Sequence, residues 1–207
     1  EAEGRQARPD EQEILSRYVG WGGISQAFDE ENTQWSEEYR QLKELLTEKE
    51  YDAARSSTLN AHYTSPTVIR AMYDAIEKMG FRTGNVLEPS CGVGNFFGML
   101  PDDMSGSRLY GVELDSITGR IARQLYPDAR ITISGFEKPQ RRDFFDLAIG
   151  NVPFGGYKVS DKQFDKYNFL IHDYFFAKTL EQVRPGGVIA YITSKGTMDK
   201  ASPDVRR

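Results

Sequence analysis

The stretch Asn85-Val86-Leu87-Glu88-Pro89-Ser90-Cys91-Gly92-Val93-Gly94-Asn95-Phe96-Phe97 decides the fold. A short apolar run ends in an acid, a glycine-rich loop follows, and an aromatic pair opens the next element. Strand, glycine loop and helix start, in that order, bring main chain close to a nucleotide-like ligand. Gly92 and Gly94 are read as removing Cβ atoms where such a ligand approaches. The spacing is not Gly-x-Gly-x-x-Gly, and no Gly-Lys-Ser/Thr follows, so dinucleotide and P-loop chemistry are disfavoured. Glu88, set just before the loop, suits a ligand that carries a cationic group.

One strand-helix unit downstream, Leu109-Tyr110-Gly111-Val112-Glu113-Leu114-Asp115 is a second strand ending in an acid. Glu113 follows Glu88 by about 25 residues, close to the spacing of a ribose-binding carboxylate. Further on, the apolar run Phe145-Asp146-Leu147-Ala148-Ile149 leads into Gly150-Asn151-Val152-Pro153-Phe154-Gly155-Gly156. An Asn at a strand end offers one carbonyl acceptor and one NH₂ donor. Pro153 stiffens the turn by fixing its own φ and restricting Val152. Phe154 adds a ring face, and the set suits a flat, amino-bearing group.

Apolar runs at 85–88, 108–113, 130–133, 144–150 and 187–193 read as strands. Helical patterns at 95–100, 116–125 and 168–183 separate them. Such alternation predicts an α/β fold with a parallel sheet and helices on both faces. Ser65 and Pro66 make an N-cap and first-turn pair, followed by Val68, Ile69, Met72, Tyr73 and Ile76 at helical spacing. Arg184-Pro185-Gly186-Gly187 reads as a helix stop and a turn into the fifth strand. Residues 1–60 are charged and helical in pattern, an appendage to a core over 61–207. Within it Asp10 and Glu13 have capping-box spacing, Ser36 reads as an N-cap for 37–46, and Thr47 with Glu50 marks another capped start. The Tyr18-Val19-Gly20-Trp21-Gly22-Gly23 stretch has no chemical reading, and Trp21 is taken as packing.

Composition narrows the function classes. The 207 residues are 39% hydrophobic, enough for one substantial core. No apolar run approaches the roughly 20 residues that span a membrane, and no signal-peptide pattern opens the chain. The expected setting is cytoplasmic. Cys91 is the single cysteine, read as a small buried residue in the glycine loop rather than a nucleophile. With two histidines and no Cys/His ligand spacing, a zinc site is disfavoured. His172 reads as packed among Phe169, Tyr174 and Phe175 rather than as a general base. The net charge of −5 weighs against tight DNA binding by this chain alone. Two basic clusters stand against that: Lys138, Arg141 and Arg142, then Lys158, Lys162 and Lys166 interleaved with Tyr157, Phe164 and Tyr167. The second reads as a target-contacting loop.

Taken together these motifs resemble the class I S-adenosylmethionine-dependent methyltransferases, a Rossmann-like, doubly wound fold. The Asn-x-Pro-Phe signature is similar to the amino-methylating branch. His62-Tyr63-Thr64-Ser65-Pro66 precedes the glycine loop and Asn-x-Pro-Phe follows it, the order of gamma-type N6-adenine DNA methyltransferases. The Tyr18–Gly23 stretch and the Gly-Asn-Val-Pro-Phe-Gly form resemble the methyltransferase regions of large helicase-fused proteins of phages and mobile elements.

The resemblance implies S-adenosylmethionine held by Tyr63, Thr64, Pro66, Glu88, Pro89, Ser90, Gly92, Gly94, Glu113, Leu114, Phe136 and Glu137. It implies transfer of a methyl group to the N6 amine of an adenine flipped out of DNA. Asn151 and the Val152 carbonyl would accept from that amine, Pro153 would shape the turn, and Phe154 would stack on the base. Two departures stand out. Val152 replaces the first Pro of the usual motif. In Ser134-Gly135-Phe136-Glu137, Gly135 occupies a position where an Asp is common, with Glu137 two residues later. About five strands of the usual seven are legible, and no recognition domain follows. The resemblance therefore implies a portion of a longer protein, with recognition or helicase-like partner regions downstream. RNA amines or protein glutamine amides as substrates, a non-catalytic cofactor-binding or scaffold role, and a fold that binds nothing are the alternatives.

Overall fold

A computed structural model describes residues 3–58, 64–197 and 199. Its centre is a five-stranded sheet of β1 (Asn85–Glu88), β2 (Arg108–Glu113), β3 (Arg130–Ile133), β4 (Phe145–Asn151) and β5 (Val183–Ile192). The strands run parallel in the order β3-β2-β1-β4-β5. The chain thus starts in the middle of the sheet, works outward to β3, and crosses back to β4. That reversal lies between β1 and β4, where α/β sheets open a crevice beyond the carboxyl ends of their strands.

Among the described residues, seven α-helices accompany the sheet: α1 (Pro9–Ser16), α2 (Ser36–Leu45), α3 (Glu48–Ser57), α4 (Pro66–Lys78), α5 (Asn95–Gly98), α6 (Ser116–Leu125) and α7 (Ile171–Gln182). Successive residues of a strand face opposite sides, and both sides are covered. On one face, Ile69, Tyr73 and Ile76 of α4 pack with Val86, Leu147 and Ile149. On the other, Ile171, Tyr174 and Phe175 of α7 pack with Leu87, Ala148 and Val152. Each such fully buried aliphatic side chain contributes about 1.5–3 kcal/mol relative to exposure. α6 closes a smaller cluster of Cys91, Phe97, Ala122 and Ile131.

The local signals explain most element starts. The Ser65 hydroxyl accepts from Val68 N–H with Pro66 in the first turn of α4. Thr47 and Glu50 form the reciprocal capping pair of α3. Four details differ from expectation. α1 begins at Pro9, whose fixed φ sets the start, and Glu11 rather than Glu13 takes the main-chain N–H, that of Arg8. Ser36 is the first residue of α2 instead of its cap, because a 3₁₀ turn over Thr33–Trp35, capped by Asn32, runs straight into it. The helix expected over 95–100 stops at Gly98, just short of Pro101. The Arg184–Gly187 turn is absorbed into β5 as a bulge: Val183 pairs with Phe145, while Leu147 pairs with Val188.

The segment over residues 3–58 packs on α6. Ala7 N–H and Gln12 Nε2 donate to the side chain and carbonyl of Gln124, each at 2.7 Å. Arg120 pairs with Glu50 at 2.8 Å. Phe28, Tyr51 and Ala54 form a separate small core with Trp21, Tyr39, Leu42 and Leu46 around it. Among the described residues, no helix is long and apolar enough to cross a membrane.

Candidate active site

A cavity of about 260 Å³ opens at the carboxyl ends of β1, β2 and β4. It gathers most of the residues singled out in the sequence. Glu88, Pro89, Ser90 and Gly92 line it from the β1 loop, Glu113 and Leu114 from the β2 end, and Phe136 and Glu137 from beyond β3. Asn151 and Pro153 line it from the end of β4, and Thr64 from the segment ahead of α4. Pro66 is exposed on the first turn of α4 and Val152 turns its side chain into the core. Phe154 is half-buried and outside the lining. Tyr63, with His62, lies outside the described residues.

The two glycines of the loop do different work. Gly92 has φ of +55° and open space where a Cβ would stand, so main chain can approach a ligand there. Gly94 is a correction to the sequence reading. It has φ of +86°, and a Cβ there would come within 2.6 Å of the Tyr126 ring. Its small size serves packing against Tyr126, away from the cavity. The loop is further fixed by Tyr73, whose hydroxyl donates to the Phe96 carbonyl at 2.9 Å.

Glu88 and Glu113 face this cavity with little access to water, at 2% and 9% exposure. Burial pushes the Glu88 carboxyl well above its usual range, and the neighbouring Glu113 adds to the effect. Burial likewise raises Glu113, to about 7, against the pull of the Asp115 and Gly92 amides. Those amides donate to its two oxygens, each at 2.8 Å. Glu88 Oε2 is buried and has no hydrogen-bond partner among the described residues. An orphaned buried acceptor costs about 1–3 kcal/mol, a cost that a donor or cation entering the cavity would relieve. Gly150 brings the acceptor end of the site against this acid: a Cβ on Gly150 would lie 3.3 Å from Glu88 Cγ. Asn151 is the next residue.

Burial raises the Cys91 thiol well above its usual value, which keeps it protonated and suits its reading as a packing residue. His172 is buried at the start of α7, outside the cavity lining. Among the described residues no group of His, Cys, Asp and Glu could hold a metal ion.

The loop after Asn151 is stapled to α7. Asp161 accepts from Lys178 Nζ at 3.0 Å and from the Tyr174 hydroxyl at 2.8 Å. Lys178 also donates to the Glu137 carbonyl at 2.9 Å, so one buried ammonium ties the loops beyond β3 and β4 together. Burial alone would raise the Asp161 carboxyl. Hydrogen bonds from Lys178, Tyr174 and the Gln163 amide outweigh it and hold the carboxyl below its usual value. In the basic, aromatic loop that follows, Phe164 is core. Tyr157 and Tyr167 are exposed, and Tyr157 also lines the cavity.

Sequence reasoning missed several lining residues, among them Gly20, Ser57, Thr118 and Phe175. Thr118 and Phe175 follow from helix faces that only the packing defines. Gly20 belongs to the Tyr18–Gly23 stretch, whose residues carry no chemical signature of their own.

No protein-family model matches the chain. It is 32% identical over 141 residues to Defense against restriction protein B of Escherichia phage P1, a match covering 65% of this chain and 6% of that protein. It is 35% identical over 79 residues to the type II methyltransferase M.CvrRI of Paramecium bursaria Chlorella virus XZ-6E, covering 38% of this chain and 21% of that one. The chain therefore spans only a small part of either relative. Among solved structures, the methyltransferase subunit of a type I restriction-modification system from Streptococcus thermophilus superposes with a TM-score of 0.55. The identity is 14%, over 84% of this chain and 46% of that one. The fold is that of class I S-adenosylmethionine-dependent methyltransferases.

Proposed function

We propose that this chain, with its class I methyltransferase fold, its viral methyltransferase relative and its phage defense-against-restriction relative, is the catalytic core of an N6-adenine DNA methyltransferase. The fold and the methylase relatives imply S-adenosylmethionine as the cofactor. One observation carries the reading: the acids Glu88 and Glu113 and the acceptor-bearing Asn151 line a single cavity. The cavity suits that cofactor on two counts. Glu88 Oε2 is buried without a partner, and Gly92 leaves open space beside it. In this reading residues 1–60 are an appendage to the core at 61–207.

S-adenosylmethionine supplies an electrophilic methyl group. The residues of this chain do the rest. Glu88 and Glu113 accept from the cofactor's ammonium and hydroxyl donors. The Asn151 side-chain oxygen and the Val152 carbonyl accept the two N–H bonds of the adenine amine. This holds the amine so that its lone pair, otherwise conjugated into the ring, can turn toward the methyl. Phe154 stacks on the base, and Pro153 keeps the turn stiff. No strong base is needed, since catalysis comes from positioning and from acceptors aimed where positive charge develops. In duplex DNA the adenine must first leave the stack, at a cost of a few kcal/mol. Contacts from the rest of the protein would supply much of the DNA affinity, given the net charge of −5.

The test is transfer of labelled methyl by the intact protein to DNA, RNA or protein, with the modified base identified. N6-methyladenine in DNA is the expected product; label in RNA or on glutamine overturns the adenine-DNA reading.

A further inference from the structure

We propose that Trp21 is a positioning residue for the cofactor site, holding Glu113 in place through Asp115, and that the Tyr18–Gly23 stretch reaches that site through Gly20. The inference rests on the reading above, in which Glu113 contacts the cofactor.

The chain of contacts is continuous. Trp21 Nε1–H donates to Asp115 Oδ2 at 3.2 Å. Asp115 is 1% exposed, and its carboxylate caps α6 by accepting from the main chain of Ile117 and Thr118 and from the Thr118 hydroxyl. Asp115 N–H donates in turn to Glu113 Oε1 at 2.8 Å, while Gly92 N–H donates to Glu113 Oε2. One indole thus reaches the strand-end acid by two hydrogen bonds.

The surrounding stretch supports this placement. The hydroxyls of Tyr18 and Thr118 lie 3.3 Å apart, and Thr118 lines the cavity. The Trp21 ring is set edge-on to both Tyr18 and Phe28, at centroid distances of 5.9 and 5.7 Å. Between the two anchors, Gly20 adopts φ of +71°, a left-handed turn that favours glycine, and lines the same cavity. A stretch that only packed one helix on another would not need a polar bond to a buried carboxylate beside a cavity acid. A neutral donor to a buried anion is among the stronger hydrogen bonds, and its loss loosens both the α6 cap and the Asp115 amide.

Calorimetric titration of the purified chain with S-adenosylmethionine tests the proposal. Trp21→Phe keeps the ring and removes the donor. It should weaken binding about threefold to tenfold. In a Glu113→Ala background, Trp21→Phe should add no further loss, because the path it acts through is gone. The unsubstituted chain offers a second readout: the Trp21 indole N–H resonance should shift on titration while that of Trp35 stays. Wild-type affinity in Trp21→Phe, additive losses in the double variant, or an unmoved Trp21 resonance each overturns the proposal and leaves the cofactor assignment standing. Failure of the unsubstituted chain to bind S-adenosylmethionine overturns both.

Discussion

Glu137 turns its carboxylate back over Gly135, into the space that a Cβ on residue 135 would fill. The position where the family resemblance places an acid is thus empty of side chain, and an acid two residues later occupies it. Glu137 also lines the cavity. Gly135→Ala should push this flexible carboxylate aside at small cost to stability while weakening cofactor binding. Glu137→Ala should cost about 1.5–3 kcal/mol of binding, the range for losing a hydrogen bond to a charged acceptor. Calorimetry on both variants checks this; unchanged affinity in both removes Glu137 from the site.

Asn151 acts on the acceptor side of the proposed reaction. Asn151→Ala should leave S-adenosylmethionine affinity nearly unchanged and cut turnover by about a hundredfold or more, as for loss of one preorganised polar group. Phe154→Tyr should retain activity, and Phe154→Ala should weaken base stacking by about 1–3 kcal/mol. Steady-state methyl transfer by the intact protein separates these effects.

Lys178 is the buried cation that Asp161 depends on. Lys178→Met leaves that carboxylate buried without its counter-charge and should destabilise the chain by about 3 kcal/mol or more. Lys178→Arg should recover part of the loss. Urea unfolding of the three proteins measures it, and equal midpoints for Met and Lys would contradict the role given to the pair.

The raised acids carry a pH signature. Glu113 holds its proton to about pH 7 in the folded chain, whereas in an unfolded chain it releases it near the ordinary Glu value. Between those values the native state binds more protons, so its stability falls as pH rises. Glu88, also raised, acts with the same sign. Melting temperature should therefore decline from about pH 5 to 8, and Glu113→Gln should flatten the decline.

Much of the site was legible because its residues sit at strand ends, where sequence order and spatial order coincide. Glu88, Glu113 and Asn151 each close an apolar run, and parallel pairing carries all three to the carboxyl ends of the central strands. What was hidden depends on packing between distant segments. Gly94 looks like a ligand-facing glycine, yet Tyr126, on another helix turn, decides its size. Phe164 looks like part of a basic, aromatic surface loop, yet it is drawn into the core beside Tyr174. Arg184–Gly187 reads as a turn ahead of the fifth strand, yet pairing on either side of it makes it a bulge within β5. Trp21 was read correctly as packing. Its bond to Asp115 joins residues 94 apart in sequence, beyond the reach of any local pattern.

The most direct measurement is the identity of the methylated atom. DNA incubated with the intact protein and labelled S-adenosylmethionine is digested to nucleosides and resolved by mass spectrometry, with the Asn151→Ala protein alongside. Label on N6-methyladenine that disappears with Asn151→Ala is the predicted result. Label on cytosine, in RNA or on protein, or N6-methyladenine formed equally by the Asn151→Ala protein, would contradict the account.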